Sequence, residues 1–374
     1  MIARLIAAAS ALMLSVPALA APETPWEGVY EGTVGRYPVT ACFQSWGHGG
    51  TSGAYYYHSQ LKPIRLTGPD DFGQRPAQWI ESREGEGWGE QSGPRWSLAV
   101  MDGATVRGTW GDGGRTLPIA LKRAESNVSD EDLACGSPGF LARRAVPATF
   151  DRADAELGGF AFTKLFYQPP PHFSEVTVEG FTFAPVYPGD GAIVRELEVA
   201  LPRGAVDDDF LQCIGGALGS MGTDGYWEQT LTPAYVDQAF MAITVSLGTF
   251  CGGAHPNFGS NQRVFDRDSG SEVDLATWLG EEAWEDVEYE AKPIAAALRA
   301  LAMQQWPTDS DGECREAASE QSYWLFGISA AGFTLTPDFP HIMTACEETA
   351  TVPWAQMEPY LSGQGKAARA RMQR

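Results

Sequence analysis

The sequence predicts an α+β protein in which an N-terminal antiparallel β meander, closed as a barrel or a sandwich, precedes a mixed α+β domain. Between residues 26 and 122, short stretches of alternating apolar and polar residues are separated by Gly and Pro, and no helical period is present. The later part of the chain contains helical and alternating periods in separate blocks. Because a single hydrophobic core stops growing at roughly 250–300 residues, a chain of 374 residues favours two domains.

The composition divides the chain into segments with different expected roles. Residues 124–148 are polar and contain several Pro and Gly, which is typical of a linker, and the residues after 362 are basic. We therefore predict a signal peptide at 1–20, an all-β domain at 21–123, a linker at 124–148, an α+β domain at 149–362 and a flexible tail at 363–374.

The first twenty residues have the pattern of a secretory signal peptide. Arg4 precedes an apolar run that ends at Val16, and Pro17, Ala18 and Ala20 follow. The alternative, a membrane anchor, needs about 20 apolar residues, and Pro17 ends the run before that length is reached. We expect cleavage after Ala20 and export to the periplasm or the extracellular space, with no membrane span in the mature chain.

The charge balance restricts the class of partner. The chain has 48 Asp and Glu against 26 Lys and Arg, for a formal net charge of −22. Nucleic acids are bound by clustered basic residues, so this balance excludes them as natural partners. An acidic surface would steer a basic protein toward it, although acidity also serves solubility.

Six cysteines predict disulfide bonds in an exported protein. The absence of any C-x-x-C pair disfavours zinc or redox use. Six cysteines allow fifteen pairings, and the sequence does not choose among them. We prefer neighbours in order, because each bond then stays within one proposed unit: Cys42 with Cys135, Cys213 with Cys251, and Cys314 with Cys346.

The first unit contains eight strand candidates. Aromatic residues inside them are expected in the core rather than on a ligand-binding surface: Tyr55, Tyr57, Trp79, Trp96 and Trp110. The candidates span 29–33, 38–43, 54–58, 64–66, 77–82, 95–101, 106–110 and 117–122.

The second unit mixes helices and strands. Apolar residues recur at helical spacing from Phe210 to Leu218, and Thr232 before Pro233 has the pattern of a short helix start. Apolar and polar residues alternate strictly over 241–248, which predicts a half-buried strand. The remaining predictions are hairpins at 264–273 and 324–335, the longest helix at 294–301, and a terminal helix from Pro353 to Leu361.

Two sequence motifs in this second unit carry a resemblance. The segment 246–257 reads SLGTFCGGAHPN, and 264–275 reads VFDRDSGSEVDL. Together with the Gly332 hairpin and the Val352-Pro353-Trp354 segment, they resemble a bacterial extracytoplasmic domain of unknown function. That family is shared by the sensor domain of a lysozyme-sensing anti-sigma factor and by accessory domains of peptidoglycan deacetylases. The resemblance covers the C-terminal half only and implies a cell-wall polymer or a basic wall-degrading enzyme such as lysozyme as partner.

The residues offer few candidates for catalysis or metal binding. There is no G-x-S-x-G motif, and no two of the five histidines are spaced i, i+4. His255 and Asn257, after Gly252 and Gly253, are the partner-binding candidates, because glycines let a ligand approach the backbone closely. The alternative is that these glycines supply left-handed turn geometry and that the imidazole bonds a nearby carbonyl. We expect no metal and no cofactor.

The resulting hypothesis is an exported, disulfide-bonded protein of the cell envelope that binds a partner without catalysis. The alternative is a cell-wall hydrolase that uses His255 or a pair of carboxylates that the sequence does not single out among its 48 acidic residues.

Overall fold

A computed structural model describes residues 26–45, 50–68, 77–82, 92–124, 133–286, 292–307 and 311–372. The predicted signal peptide at 1–20 lies outside these residues. The predicted α+β class is confirmed, since a closed antiparallel barrel is followed by a mixed sheet with helices. Within the described ranges, no helix combines the length and the apolar character needed to cross a bilayer.

Eight antiparallel strands form the barrel, which closes where the first strand pairs with the eighth. Alternation along the strands directs Tyr55, Trp79 and Trp96 into the core as predicted, whereas Tyr57 and Trp110 are half-buried. The strands are β1 (Gly28–Val34), β2 (Tyr37–Ser45), β3 (Thr51–Tyr57), β4 (Ile64–Thr67), β5 (Gln78–Glu81), β6 (Arg95–Met101), β7 (Thr105–Asp112) and β8 (Arg115–Arg123).

One buried carboxylate joins several aromatic residues of the barrel. Glu81 Oε1 accepts hydrogen bonds from Tyr55 OH at 2.6 Å, from Trp96 Nε1 at 2.9 Å and from Trp110 Nε1 at 2.6 Å. Burial raises the pKa of Glu81, and the three donors oppose that rise. A buried charge without hydrogen-bond partners is costly, so these three donors stabilise the Glu81 carboxylate inside the barrel.

The second unit contains two sheets and most of the helices. The six-stranded sheet has the order β14-β13-β12-β11-β10-β9, and the three-stranded sheet has the order β15-β16-β17. The strands are β9 (Phe150–Leu157), β10 (Phe160–Tyr167), β11 (Val176–Thr182), β12 (Tyr226–Val236), β13 (Phe240–Phe250), β14 (Asn257–Asp266), β15 (Trp324–Ile328), β16 (Gly332–Pro337) and β17 (Ala350–Pro353). The helices are α1 (Pro138–Leu141), α2 (Asp190–Val199), α3 (Asp209–Met221), α4 (Ala296–Gln304), α5 (Gly312–Glu320), α6 (Trp354–Met357) and α7 (Gly363–Met372).

The six-stranded sheet is covered on both faces near the start of β13. Met241 and Ile243 pack into a core shared with α2, α3 and the barrel, whereas Phe240 and Ala242 pack into a second core with the three-stranded sheet. In the middle of β13, over residues 244–247, this covering is incomplete and the strand residues are half-buried.

The segment after the barrel is packed rather than a free linker over its described part. Cys135, Phe140 and Leu141 are buried in the core that the barrel and the six-stranded sheet share. Tyr56 OH donates to Phe140 O at 2.8 Å, and Cys135 is bonded to Cys42 of β2. Because residues 124–148 are mostly polar, their composition did not indicate that Cys135, Phe140 and Leu141 are buried.

The cysteines form three disulfide bonds, and none of the six is free. The bonds join neighbours in sequence, which is the pairing that we preferred. They are Cys42–Cys135, Cys213–Cys251 and Cys314–Cys346.

Two local predictions were wrong. Thr232 and Pro233 lie in β12, not at a helix start, and a register irregularity between Pro233 and Tyr235 accommodates a residue that has no N–H to donate. Among the helices of the described residues the longest is α3 with 13 residues, whereas α4 has 9. Three glycines inside α3, at 215, 216 and 219, weaken its helical pattern in the sequence.

The predicted flexible tail was also wrong, because Gly363–Met372 forms helix α7. Arg371 donates to Asp266 at the end of β14 and, at 2.8 Å, to Asp268 in the turn that follows. Ala368 is buried, and Gly365 packs against the backbone of Trp278, where a Cβ would overlap. Arg371, one of the basic residues that suggested a loose tail, thus attaches the helix to the acidic hairpin.

Candidate functional site

The predicted site residues lie on an exposed turn. Gly252 and Gly253 have φ values of 96° and 102°, so the left-handed turn that we expected is present. His255 is exposed, and its Nδ1 lies 3.1 Å from the carbonyl of Pro256. Its ring stacks on that of His341, with centroids 3.7 Å apart and planes 8° apart. These contacts agree with the alternative in which the imidazole bonds a nearby carbonyl.

Asn257 is exposed at the first position of β14, opposite Thr249 of β13. Neither Asn257 nor His255 lines the cleft described below. The structure therefore places the two predicted residues beside that cleft rather than in it.

A face of the six-stranded sheet carries a row of hydroxyl groups. Thr230 of β12 pairs with Ser246 of β13, which in turn pairs with Ser260 of β14, so the three side chains share one face. Thr244 lies two residues before Ser246 and hence on the same face. The Oγ atoms of Ser246 and Ser260 are 2.9 Å apart and hydrogen-bonded.

The three-stranded sheet supplies the facing wall. Thr334 and Thr336 of β16 turn toward β14, because the alternate residues of this strand are buried in the core behind it. Thr336 Oγ1 and Thr349 Oγ1 are hydrogen-bonded at 2.7 Å. The two walls enclose a cavity of about 110 Å³. We call this space, bounded by Thr244 and Ser260 on one side and Thr334, Thr336 and Thr349 on the other, the hydroxyl cleft.

Gln262 and Gly327 hold the two sheets at close distance. Ile328 N donates to Gln262 Oε1 at 2.9 Å, which joins β15 to β14 through a side chain. A Cβ at Gly327 would overlap Gln262 Oε1 and Thr334 Oγ1, so any larger residue at this position must displace these two side chains.

The cleft opens into a wider cavity of about 470 Å³ with an aromatic side chain at its edge. Phe258 is 47% exposed. A Cβ at Gly248 would lie 3.1 Å from the Phe258 ring and 3.6 Å from Glu228 Oε2, so ring and carboxylate are neighbours above this glycine. The Tyr226 ring lies beside the Phe258 ring, with the two centroids 6.2 Å apart.

Acidic side chains border this site. Glu228 and Glu347 both line the wider cavity, and none of the described residues lining it is Lys or Arg. Burial raises the pKa of Glu347, and the nearby charge of Asp338 adds to this rise. The described residues contain no group of three or more His, Cys, Asp or Glu side chains placed to hold a metal ion.

This arrangement can form many directional hydrogen bonds with a neutral, hydroxyl-rich ligand. Each Thr or Ser hydroxyl donates one hydrogen bond and accepts others, and carboxylates accept them. An exposed aromatic ring adds an apolar contact surface. The sequence did not predict the cleft. It did place Thr244, which lines the cleft, and Ser246, which lines the wider cavity, at polar positions of a half-buried strand.

No protein-family model matches this chain. No curated protein matches it either. Among solved structures, a protein from Pseudomonas aeruginosa PAO1 is 14% identical, with a TM-score of 0.32 over 59% of this chain and 96% of that one. A protein from Bacteroides fragilis is 13% identical, with a TM-score of 0.33 over 61% of this chain and 96% of the other. Both neighbours are DUF3298 family proteins. Their descriptions name neither a lysozyme sensor nor a peptidoglycan deacetylase.

Proposed function

We propose that this is an exported protein of the cell envelope that binds the glycan of the cell wall without catalysis. The observation that carries the proposal is the hydroxyl cleft with the exposed Phe258 and Glu228 at its wider end. Sugars present hydroxyl groups at their edges and C–H groups on their faces, which these two kinds of surface complement. Three disulfide bonds support an oxidising compartment.

Co-sedimentation with purified, insoluble peptidoglycan tests the proposal. Phe258→Ala removes the aromatic contact, and a loss of about 1.4 kcal/mol would weaken binding about tenfold. Val199→Ser is the matched control, because Val199 is 70% exposed on α2 and lies outside the cleft. If both variants sediment like the parent protein, the cleft is not the glycan site.

The net charge of −22 favours a second kind of partner, a basic wall-degrading enzyme such as lysozyme. Attraction between opposite surface charges weakens as salt rises, so capture of lysozyme should be strong at low ionic strength and weak at high ionic strength. Glycan binding through neutral hydroxyls should change much less. A pull-down at two salt concentrations, run beside the sedimentation assay, separates these partners.

The alternative of a wall hydrolase has one supporting observation. Glu228 and Glu347 line the same cavity, and burial raises the pKa of Glu347, as suits a general acid. Release of soluble muropeptides from peptidoglycan, detected by mass spectrometry and abolished by Glu347→Gln, would establish hydrolysis. Binding without any released product would support the non-catalytic proposal.

A further inference from the structure

The two outer strands of the six-stranded sheet differ in how they are protected against pairing with another chain. Edge strands expose unpaired backbone groups, and proteins usually protect them with charged residues, proline or bulges. The outer strand β9 has this protection, because it carries charged side chains at Asp151, Arg152, Asp154 and Glu156.

The opposite edge, β14, has no such protection over its first half. Residues 257–262 read NFGSNQ, with no charged residue and no proline. Each of residues 257–261 is exposed. This stretch is therefore open to solvent along an unguarded strand.

The hydrogen bonds identify which backbone groups point outward. Val264 O accepts from Val273 N at 2.7 Å, so residue 264 directs its polar groups away from β13. The direction of the backbone N–H and C=O groups alternates along an antiparallel strand. The backbone groups of Phe258, Ser260 and Gln262 therefore also point away from β13. No backbone bond from the described residues reaches Phe258 or Ser260 on that side. We call the exposed residues 258–261 the open edge.

The surroundings of the open edge are acidic. Glu347 lines the cavity on one side of it, and Glu272 and Asp274 line a cavity of about 470 Å³ on the other. Arg263 neutralises Glu272 through a contact of 2.7 Å, but no Lys or Arg is among the described residues that line either cavity. A peptide placed here would meet carboxylates on both sides.

We propose that the open edge of β14 binds an extended, cationic segment of a partner protein, which adds to the six-stranded sheet as a further antiparallel or parallel strand. The backbone of Ser260 supplies a donor and an acceptor to this strand. The carboxylates on either side select Lys or Arg at alternate positions of the peptide. This site binds through backbone groups, whereas the proposed glycan site binds through hydroxyl groups. An experiment can therefore refute one of the two proposals and leave the other standing.

The test uses the full mature chain and a short fluorescent peptide of alternating Lys and Thr, followed by fluorescence anisotropy. Ser260→Pro removes the outward N–H without removing a bond to β13, and a proline keeps the preceding Gly259 extended. We expect Ser260→Pro to weaken peptide binding about tenfold. The matched variant Ser260→Ala keeps the N–H and should bind the peptide within about twofold of the parent, while weakening glycan sedimentation.

Two peptide controls leave the protein unchanged, so they hold even if Ser260→Pro destabilises the fold. A Lys-Thr peptide with N-methylated backbone amides along its pairing edge should lose binding, as should a peptide of alternating Glu and Thr. Equal binding of the methylated and parent peptides would overturn the strand-addition proposal. Equal binding of the acidic peptide would overturn the selection for cations. Failure of glycan sedimentation with retained peptide binding would refute the proposed function alone.

Discussion

Arg144 is the buried cation that connects the barrel to the second unit, and its replacement gives a sharp test of the fold. Its side chain is 0% exposed. Nη1 and Nη2 donate to the two oxygens of Asp224 at 2.8 and 2.6 Å, and Nε donates to the carbonyl of Leu61 in the barrel at 3.1 Å. The guanidinium also lies 4.9 Å from the centroid of the Phe173 ring.

The variant Arg144→Met keeps an apolar stem of similar length but leaves Asp224 without its cation. Breaking a buried ion pair costs about 3–5 kcal/mol. Asp224 is 24% exposed, so water can solvate part of its charge, and we expect a loss of about 2–4 kcal/mol in the free energy of unfolding. The matched control is Arg143→Met, because Arg143 is 47% exposed and pairs with an exposed Glu31. Its expected cost is about 0–1 kcal/mol.

Urea unfolding followed by tryptophan fluorescence, with the disulfides intact, measures both variants. The double variant Arg144→Met with Asp224→Leu should recover part of the loss, because it removes both charges together. If Arg144→Met falls within about 0.5 kcal/mol of Arg143→Met, the ion pair does not stabilise the junction between the two units.

Three further outcomes follow from the structure. Burial raises the pKa of Glu81 in the folded state, so its contribution to stability is fully present below pH 4.5 and falls as pH rises toward the folded pKa; Glu81→Gln should remove this slope in urea titrations, and an unchanged slope would contradict the assignment. Replacing Cys42 and Cys135 by Ser opens a loop with a sequence separation of 93, which should cost about 4 kcal/mol in the same assay; a cost below about 1 kcal/mol would refute it. Gly327→Ala displaces the side chains of Gln262 and Thr334 at the cleft and should cost about 1–3 kcal/mol and weaken peptidoglycan sedimentation, whereas normal sedimentation would show that the narrow cavity is not used.

The sequence predicted the barrel because its signals are local. Alternation over each strand and glycine turns between strands are read within a few residues, and neighbouring strands are also neighbours in space. The helix expected at Thr232 and Pro233 shows the limit of such reasoning. A local helix-start pattern was overridden by pairing with β13, which the residues themselves do not reveal.

The hydroxyl cleft could not be predicted for a related reason. Thr244 and Thr336 come from different sheets, and only tertiary packing brings their faces together. Helix α7 was missed because its stability comes from contacts of Arg371 and Gly365 with distant parts of the chain. Residues near His255 attracted attention through their glycines, yet those glycines serve the turn between β13 and β14.

Hydroxyl groups on a sheet face have an ordinary explanation, since a face that extends beyond its apolar covering must be polar to remain in water. That explanation accounts for Thr230, Thr244 and Ser246 taken alone. It does not account for the threonines that a second sheet presents to the first across a cavity of about 110 Å³, or for glycine at position 327, where a Cβ would overlap the side chains of Gln262 and Thr334. Two polar faces in water gain little by approaching each other, because their hydrogen bonds with water are lost. A ligand with hydroxyl groups of its own would replace the hydrogen bonds with water that these two faces lose, as the proposed glycan binding requires.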